Sequence, residues 1–400
     1  AQAASASVWD PFLHAQSSSW PLCSQAMLAT AAPAVPGSPA VPATISSTEP
    51  EEETPVKMAK LNRSSAQRLG FWRRTSEFIK ELRALYNMPQ EDIDAYFNSH
   101  EVMGKEKITC KEDEDSVVDW YKVLNHFCAL GAVEKMYIPP IIDPKAGNTA
   151  NQVLFEELMC DKLNVGIGGD ILDLGCGAGR IAHEVATYTG AKVTGLNYDK
   201  SQLDRGEEFA TKCGLLGTQL EFHYGSFNDP LPFPDQAFDG AYEVGAFCYA
   251  IDKVKLFTDI YRVLKPGGRF SYCDWVRLNY DPENEQHREL LRQVKPLTGM
   301  VEMPFPREVE DAFTQSGFHI EFSGEASTGG KQLSNLVGDT ERSFRFAERI
   351  VNGLDRIGAA PKSLKPMWEK IRQGGEALQE AVDLDLFSMS WQIIVRKPKA

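Results

Sequence analysis

The sequence predicts an α/β fold built on a doubly wound, mostly parallel sheet. Residues 171–179 read Ile-Leu-Asp-Leu-Gly-Cys-Gly-Ala-Gly, an apolar strand that runs directly into a glycine-rich turn. Strand and helix patterns alternate from there to about residue 275, which is typical of a parallel sheet. With 400 residues, 42% of them hydrophobic, the chain can form one large or two small globular domains.

The remaining elements follow in order along the chain. After the first strand, predicted strands cover residues 191–197, 220–226, 238–243 and 269–275. Lys253 to Val263 is a predicted helix, which ends at the turn Leu264-Lys-Pro-Gly-Gly268. Upstream, apolar residues at helical spacing between Ser65 and Phe97 predict an amphipathic helix that ends at Met88-Pro89.

The glycine-rich turn is the strongest functional signal. Glycines at 175, 177 and 179 let the backbone turn sharply and approach a ligand closely. The third glycine comes one residue earlier than in a site that seats a pyrophosphate, and no phosphate-loop lysine follows. A nucleoside ligand without phosphate fits this pattern. The turn therefore predicts S-adenosylmethionine as the cofactor, held by Asp173, Gly175, Gly177 and Gly179.

These ordered motifs resemble those of the class I S-adenosylmethionine-dependent methyltransferases across about residues 165–280. Within that family the chain resembles the sterol 24-C-methyltransferase branch. The stretches that carry this resemblance are Val117-Val-Asp-Trp-Tyr121, Val193-Thr-Gly-Leu-Asn-Tyr-Asp199, Leu231-Pro-Phe-Pro-Asp235, Asp274-Trp-Val276, residues 280–288 and residues 386–398. The resemblance implies a seven-stranded, Rossmann-like sheet with a helical N-terminal cap and a C-terminal α/β extension.

The same patterns divide the chain into four parts. A disordered tail or targeting segment covers residues 1–56, and a helical cap covers residues 57–164. The cofactor-binding core follows over residues 165–280. Residues 281–400 complete the methyltransferase domain and supply elements of the acceptor site.

The resemblance also implies further cofactor contacts. Asn197 and Gln202 lie at the ribose end, where the superfamily usually carries an acid in place of Asn197. Ser226 and Phe227 flank the adenine, although Phe227 could equally belong to the core. Asp173 contacts the amino group of the cofactor through the turn, or only caps that turn.

Two departures from the sterol branch concern the acceptor. The aromatic motif Y-E-Y-G-W-G of that branch corresponds here to Phe127-Cys-Ala-Leu-Gly-Ala-Val-Glu-Lys-Met-Tyr137. After the fourth strand, Gly245 replaces the carboxylate of the branch and Tyr249 replaces its histidine. Methylating an alkene creates a carbocation, which needs stabilisation and then a base to remove a proton. The usual groups for both tasks are missing.

A lone-pair acceptor needs only alignment with the methyl group and exclusion of water. The favoured acceptor is a small thioether acid, such as 4-methylthio-2-hydroxybutyrate in dimethylsulfoniopropionate synthesis, or an amine. Sterol or isoprenoid C-methylation and a non-catalytic cofactor-binding module are the alternatives. The predicted catalytic residues are Glu243 and Tyr249, and the predicted acceptor-binding residues are Trp120, Tyr121, Tyr137 and Arg277. Arg277 or Arg180 could hold a carboxylate, and Glu243 contacts either the ligands or only backbone amides.

Composition excludes several other functions. The formal net charge of −14 opposes a nucleic-acid acceptor. Eight cysteines without a C-x-x-C pair predict reduced, intracellular thiols and no metal site. No apolar run reaches the roughly 18 residues of a membrane span. We therefore expect a small-molecule methyltransferase in the cytoplasm or an organelle.

The first 56 residues have a different composition from the rest. Alanine, serine and proline dominate residues 31–47, and no apolar periodicity appears, which predicts disorder. No lysine or arginine precedes Lys57, whereas mitochondrial presequences are rich in arginine. The segment is either a flexible tail or an organelle-targeting peptide.

Overall fold

The computed structural model describes residues 80–81, 83–130, 134–328, 348–349, 351–358 and 364–399. Its helices are α1 Gln90–Met103, α2 Lys111–Leu130, α3 Asn148–Leu163, α4 Arg180–Thr189, α5 Lys200–Lys212, α6 Lys253–Val263, α7 Glu285–Thr298, α8 Pro306–Gln315 and α9 Leu364–Asp383. Its strands are β1 Asp170–Leu174, β2 Lys192–Asn197, β3 Leu220–Tyr224, β4 Phe238–Tyr242, β5 Leu264–Arg277, β6 His319–Glu325 and β7 Phe387–Arg396.

The seven strands form one sheet in the order β3-β2-β1-β4-β5-β7-β6. Strands β1 to β5 pair in parallel, whereas β7 is antiparallel to both of its neighbours, β5 and β6. The order reverses at β1, since β2 lies on one side and β4 on the other, and ligands bind at such switch points in open α/β sheets. The predicted doubly wound, mostly parallel, seven-stranded sheet is confirmed.

Helices cover both faces of the sheet, which is why its central strands are apolar throughout. Ile171 of β1 packs in one core cluster with side chains of α3 and α4, including Met159 and Val185. Its neighbour Leu172 points to the other face, where Phe257 of α6 and Phe313 of α8 stack at 3.9 Å between ring centroids. The alternation of side chains along a strand therefore supplies two cores from one segment.

A third core joins the cap to the C-terminal part of the chain. Trp120 of α2 lies there with Met103 of α1, Val294 of α7 and Ala377 of α9. The indole nitrogen of Trp120 donates a hydrogen bond to the carbonyl of Pro296 at 3.1 Å. The predicted cap and C-terminal part thus share a hydrophobic core and place α2 above the carboxyl ends of the strands.

Element boundaries differ from the sequence prediction in two places. Residues 83–86 are helical and the helix ends before Met88-Pro89 as predicted, but Pro89 is also the N-cap of a second helix, α1, which was not predicted. Strand β5 begins at Leu264, five positions earlier than predicted, with a register shift against β4 between Phe238 and Gly240. Residues 1–56, with their targeting interpretation, and residues 65–79 lie outside the described residues.

Within the described ranges, no helix has the length and apolar character needed to span a membrane.

Candidate active site

A cavity opens at the carboxyl ends of β1, β2 and β4, beneath α2. Its volume is about 150 Å³, and small-molecule sites in α/β proteins occur preferentially at switch points of this kind. Its wall comes from the glycine-rich turn, the ends of β2 and β4, helix α2 and residues 134–137. No cluster of three or more metal-ligating side chains occurs in the part of the chain that the structure describes.

The glycine-rich turn forms one wall of the cavity. Gly175, Gly177 and Gly179 have φ values of +81°, +54° and +66°, a region that favours glycine. A Cβ on Gly175 would lie 2.4 Å from the Cβ of Ala246, and one on Gly179 would lie 2.6 Å from the ring of Phe222. Gly175 and Gly177 line the cavity, whereas Gly179 allows the turn to pack against β3.

Polar side chains from β2 and α5 line the next part of the cavity. Asn197 and Gln202 both face it, and the amide nitrogen of Asn197 lies 3.4 Å from Gln202 Oε1. Asp199 also lines it, and its Oδ1 caps α5 by accepting from the backbone nitrogen of Ser201 at 2.8 Å. Its Oδ2 is buried without a hydrogen-bond partner. A buried carboxylate oxygen needs a donor, and the ribose hydroxyls of the cofactor would supply one.

Sequence analysis missed Asp199. The ribose contact was predicted only at position 197, where the strand ends. Asp199 is followed by Lys-Ser-Gln, which is a typical N-cap pattern, and the residue was therefore not considered as a ligand. The cap explains one carboxylate oxygen and leaves the other free for a ligand.

Three tyrosines line the cavity where α2, residues 134–137 and the segment after β4 meet. The hydroxyls of Tyr121 and Tyr249 lie 3.2 Å apart, and Tyr249 donates to the carbonyl of Gly299 at 2.7 Å. Tyr137 donates to Glu156 Oε1 at 2.7 Å. Burial raises the pKa of each of these hydroxyls well above its ordinary value, so they are neutral hydrogen-bonding groups around neutral pH.

Comparison with known proteins agrees with this geometry. A family model described as a methyltransferase domain matches residues 167–333. The sterol 24-C-methyltransferase of Eremothecium gossypii is 36% identical over 264 residues, which cover 61% of this chain and 70% of that protein. The chain belongs to the class I S-adenosylmethionine-dependent methyltransferases, close to the sterol 24-C-methyltransferase branch. Its cofactor is S-adenosylmethionine.

Two further relatives extend the comparison of this methyltransferase. Cycloartenol-C-24-methyltransferase 1 of Oryza sativa subsp. japonica is 27% identical over 321 residues, which cover 76% of this chain and 92% of that protein. The structure of a Haemonchus contortus phosphoethanolamine N-methyltransferase 2, in complex with phosphomonomethylethanolamine and S-adenosylhomocysteine, matches with a TM-score of 0.54 at 18% identity. It covers 71% of this chain and 60% of that one.

Other predicted cofactor residues of the methyltransferase lie at different distances from the cavity. Phe227 lines it, with its ring 5.1 Å from that of Phe247. Asp173 lies behind the glycine-rich turn, where its Oδ2 accepts from the hydroxyl of Tyr242 at 2.8 Å. Burial raises the pKa of Asp173 to about 7. Ser226 is not among the lining residues: it is buried and donates to Glu114 of α2, so its contact is with the cap.

Three predicted acceptor-side residues do not reach the cavity, which corrects their assignment. Glu243 is fully buried, and its two oxygens accept from the backbone nitrogens of Ala246 at 2.9 Å and Cys273 at 2.8 Å. Of the two interpretations of Glu243, the structure favours the backbone-bonding one. Trp120 lies in the third core, and Arg277 pairs with Glu106 and lies over the ring of Tyr280.

Of the two arginines predicted to hold a carboxylate, Arg180 lines the cavity. Its guanidinium lies 3.4 Å from the centroid of the Phe209 ring, and it makes no ion pair with a carboxylate of the described residues. Glu134 and Lys135 also line the cavity; Lys135 pairs with Glu156, while Glu134 is exposed to solvent.

Proposed function

We propose that this methyltransferase acts on a small acceptor that attacks through a lone pair, and that the favoured acceptor is a thioether acid or an amine. When bound, S-adenosylmethionine supplies an electrophilic methyl group. A thioether sulfur accepts that group and becomes a sulfonium, while the cofactor leaves as S-adenosylhomocysteine, so no proton is removed. The enzyme must then only align the acceptor and exclude water.

The observation that carries this proposal is the lack of a suitable base on the acceptor side of the described lining residues. Asp199 has a buried carboxylate oxygen without a partner, but it lies at the end of the cavity that we assign to the ribose. Tyr121, Tyr137 and Tyr249 are neutral hydroxyls, and burial holds their pKa values high. Glu114 is buried, but its carboxylate already accepts hydrogen bonds from Ser226 and Asn228. Glu134 is exposed, unlike the desolvated carboxylates that usually abstract protons. The tyrosine rings offer π-faces to a sulfonium or ammonium product.

Arg180 supports the acidic part of the proposed acceptor. It is a cavity-lining cation without a carboxylate partner among the described residues, and a guanidinium binds carboxylates in a bidentate manner. With Arg277 engaged by Glu106, Arg180 is the better placed of the two predicted arginines. 4-Methylthio-2-hydroxybutyrate carries both a thioether and a carboxylate.

C-methylation of a sterol or isoprenoid lipid is the second candidate. Relatives named sterol 24-C-methyltransferase, at 31% and 36% identity, favour it. It would require proton removal after methyl transfer, and Gly245 and Tyr249 stand where that branch carries its acid and its histidine.

A direct assay separates the two candidates. Purified protein is incubated with methyl-labelled S-adenosylmethionine and, separately, with 4-methylthio-2-hydroxybutyrate, a secondary amine acid and a Δ24-sterol, and products are identified by mass spectrometry. We expect product from the thioether or amine acid. For the thioether, kcat should show no ionisation of a catalytic base, because sulfur does not titrate near neutrality. Product from the sterol alone would refute the proposal.

A further inference from the structure

Residues 134–137, which we term the cover segment, form a wall of the cavity that α3 holds in place. The side-chain nitrogen of Gln152 donates to the carbonyls of Lys135 at 3.2 Å and Tyr137 at 3.0 Å. Glu156, one turn further along α3, pairs with the ammonium of Lys135 and accepts from the hydroxyl of Tyr137. Lys135 and Tyr137, which both contact Glu156, are also among the residues that line the cavity.

Glu156 itself has no access to the cavity or to solvent. Its exposed fraction is 0%, and a carboxylate in such a place is costly unless it is paired and hydrogen-bonded. Burial raises its pKa to about 7, while the Lys135 ammonium lowers it. The other titratable groups that face it are Glu184 of α4, Asp173 of β1 and Cys160 of α3.

The cover segment faces the position that distinguishes this chain from the sterol branch. A Cβ on Gly245 would lie 4.0 Å from the Cβ of Tyr137, and Gly245 replaces the carboxylate of that branch. The cover segment also includes the end of the stretch that replaces the aromatic motif. The two departures thus meet at one place in the cavity wall.

We propose that Glu156 is a positioning residue that fixes Lys135 and Tyr137 as the acceptor-side wall, so that acceptor affinity depends on its ionised form. Loss of its charge releases the ammonium of Lys135 into the cavity and loosens the cover segment, which the hydrogen bonds from Gln152 then hold alone. The inference deepens the proposed function, since it concerns the acceptor side of that site, but it holds for any acceptor class.

Hydrogen–deuterium exchange of peptides that cover residues 134–137 tests the inference without an acceptor. After correction for intrinsic exchange rates, we expect faster exchange at pH 6 than at pH 8 in the wild type, with a midpoint near pH 7. Glu156→Gln keeps the shape and a hydrogen-bond acceptor for Tyr137, and should exchange at the fast rate at both values. Lys135→Met removes the ammonium that pairs with Glu156, so this variant should also exchange at the fast rate at both values. Exchange that is independent of pH in the wild type would overturn the inference.

Kinetics and ligand binding separate positioning from a merely structural role. Glu156→Gln should raise the KM of whichever tested acceptor gives product, thioether acid, amine or sterol, by about tenfold. The Kd of S-adenosylhomocysteine, measured by calorimetry, should stay within about twofold. The matched control is Lys253→Met, which breaks a partly buried ion pair with Glu302 outside the cavity wall and should change neither value. An equal loss of cofactor affinity and acceptor affinity in Glu156→Gln would contradict the positioning role, whichever acceptor is used.

Discussion

Gly175 shows how one residue can decide whether a cofactor binds. Its φ of +81° disfavours any side chain, and an added Cβ would lie 2.4 Å from Ala246 in the cavity wall. Gly175→Val should therefore abolish cofactor binding, because the valine fills the space where the backbone approaches the ligand. Calorimetry with S-adenosylhomocysteine measures the effect, and we expect a loss of at least about 100-fold, or roughly 2.7 kcal/mol.

The strain of the substitution needs its own control. Gly214 has a φ of +71° with no atom within 4 Å of an added Cβ, so Gly214→Val carries the same backbone penalty outside the cavity. That variant should lose on the order of 1 kcal/mol of unfolding free energy and keep its cofactor affinity. A folded Gly175→Val protein with wild-type affinity would show that the turn has another purpose.

Asp173 links the stability of the protein to pH. Burial raises its folded-state pKa to about 7, so its contribution to stability is complete below the ordinary aspartate range and is lost as the pH rises through about 7. Asp173→Asn keeps an oxygen for the hydroxyl of Tyr242 and cannot ionise. We expect the variant to unfold at a higher temperature than the wild type at pH 8, with the difference vanishing near pH 4, by differential scanning calorimetry.

The same variant tests whether Asp173 serves the cofactor. If its carboxylate attracts the cofactor's ammonium, the affinity for S-adenosylmethionine in the wild type should fall as the pH drops below about 7, where the carboxyl is neutral. Asp173→Asn should bind weakly at every pH. Titrations at several pH values check this, and an affinity in the variant equal to that of the wild type at pH 8 would leave Asp173 with only its turn-capping role.

At the scale of elements, the sequence predicted the helices and strands whose ends are set by neighbouring residues. Helix α6 runs from Lys253 to Val263 as predicted, because Asp252 caps it by accepting from the backbone nitrogen of Lys255 and Lys-Pro-Gly-Gly follows it. Strand β1 and its glycine turn were equally readable, since an apolar run and three glycines specify them.

The directions in which individual side chains point could not be predicted from local sequence patterns. Glu243 bonds the backbone of Cys273, 30 positions away, and Trp120 bonds Pro296, 176 positions away. Both partners are brought close by strand pairing and helix packing that no local pattern encodes. Arg277 likewise pairs with Glu106 of the cap. Sequence therefore located the strand ends and the glycine-rich turn of the cavity better than the directions of the side chains that depend on the cap and the C-terminal part.

At the scale of the whole molecule, the composition of the N-terminal segment indicates that it takes no part in the site. Residues 1–56 have neither apolar periodicity nor a motif of the cofactor or acceptor site. A protein that lacks them should keep its kcat/KM, measured with the acceptor that gives product. A loss of more than about tenfold, equivalent to roughly 1.4 kcal/mol, would show that the segment takes part in catalysis or in folding.

The position of β7 determines when the sheet can finish forming during synthesis of the chain. Strand β7 lies between β5 and β6, although both are synthesised before it. While the chain emerges from a ribosome, β5 and β6 therefore each present an unpaired edge, and such edges can pair with other chains. The sheet closes only when residues 387–396 insert between these two strands, so both edges stay open to pairing until then.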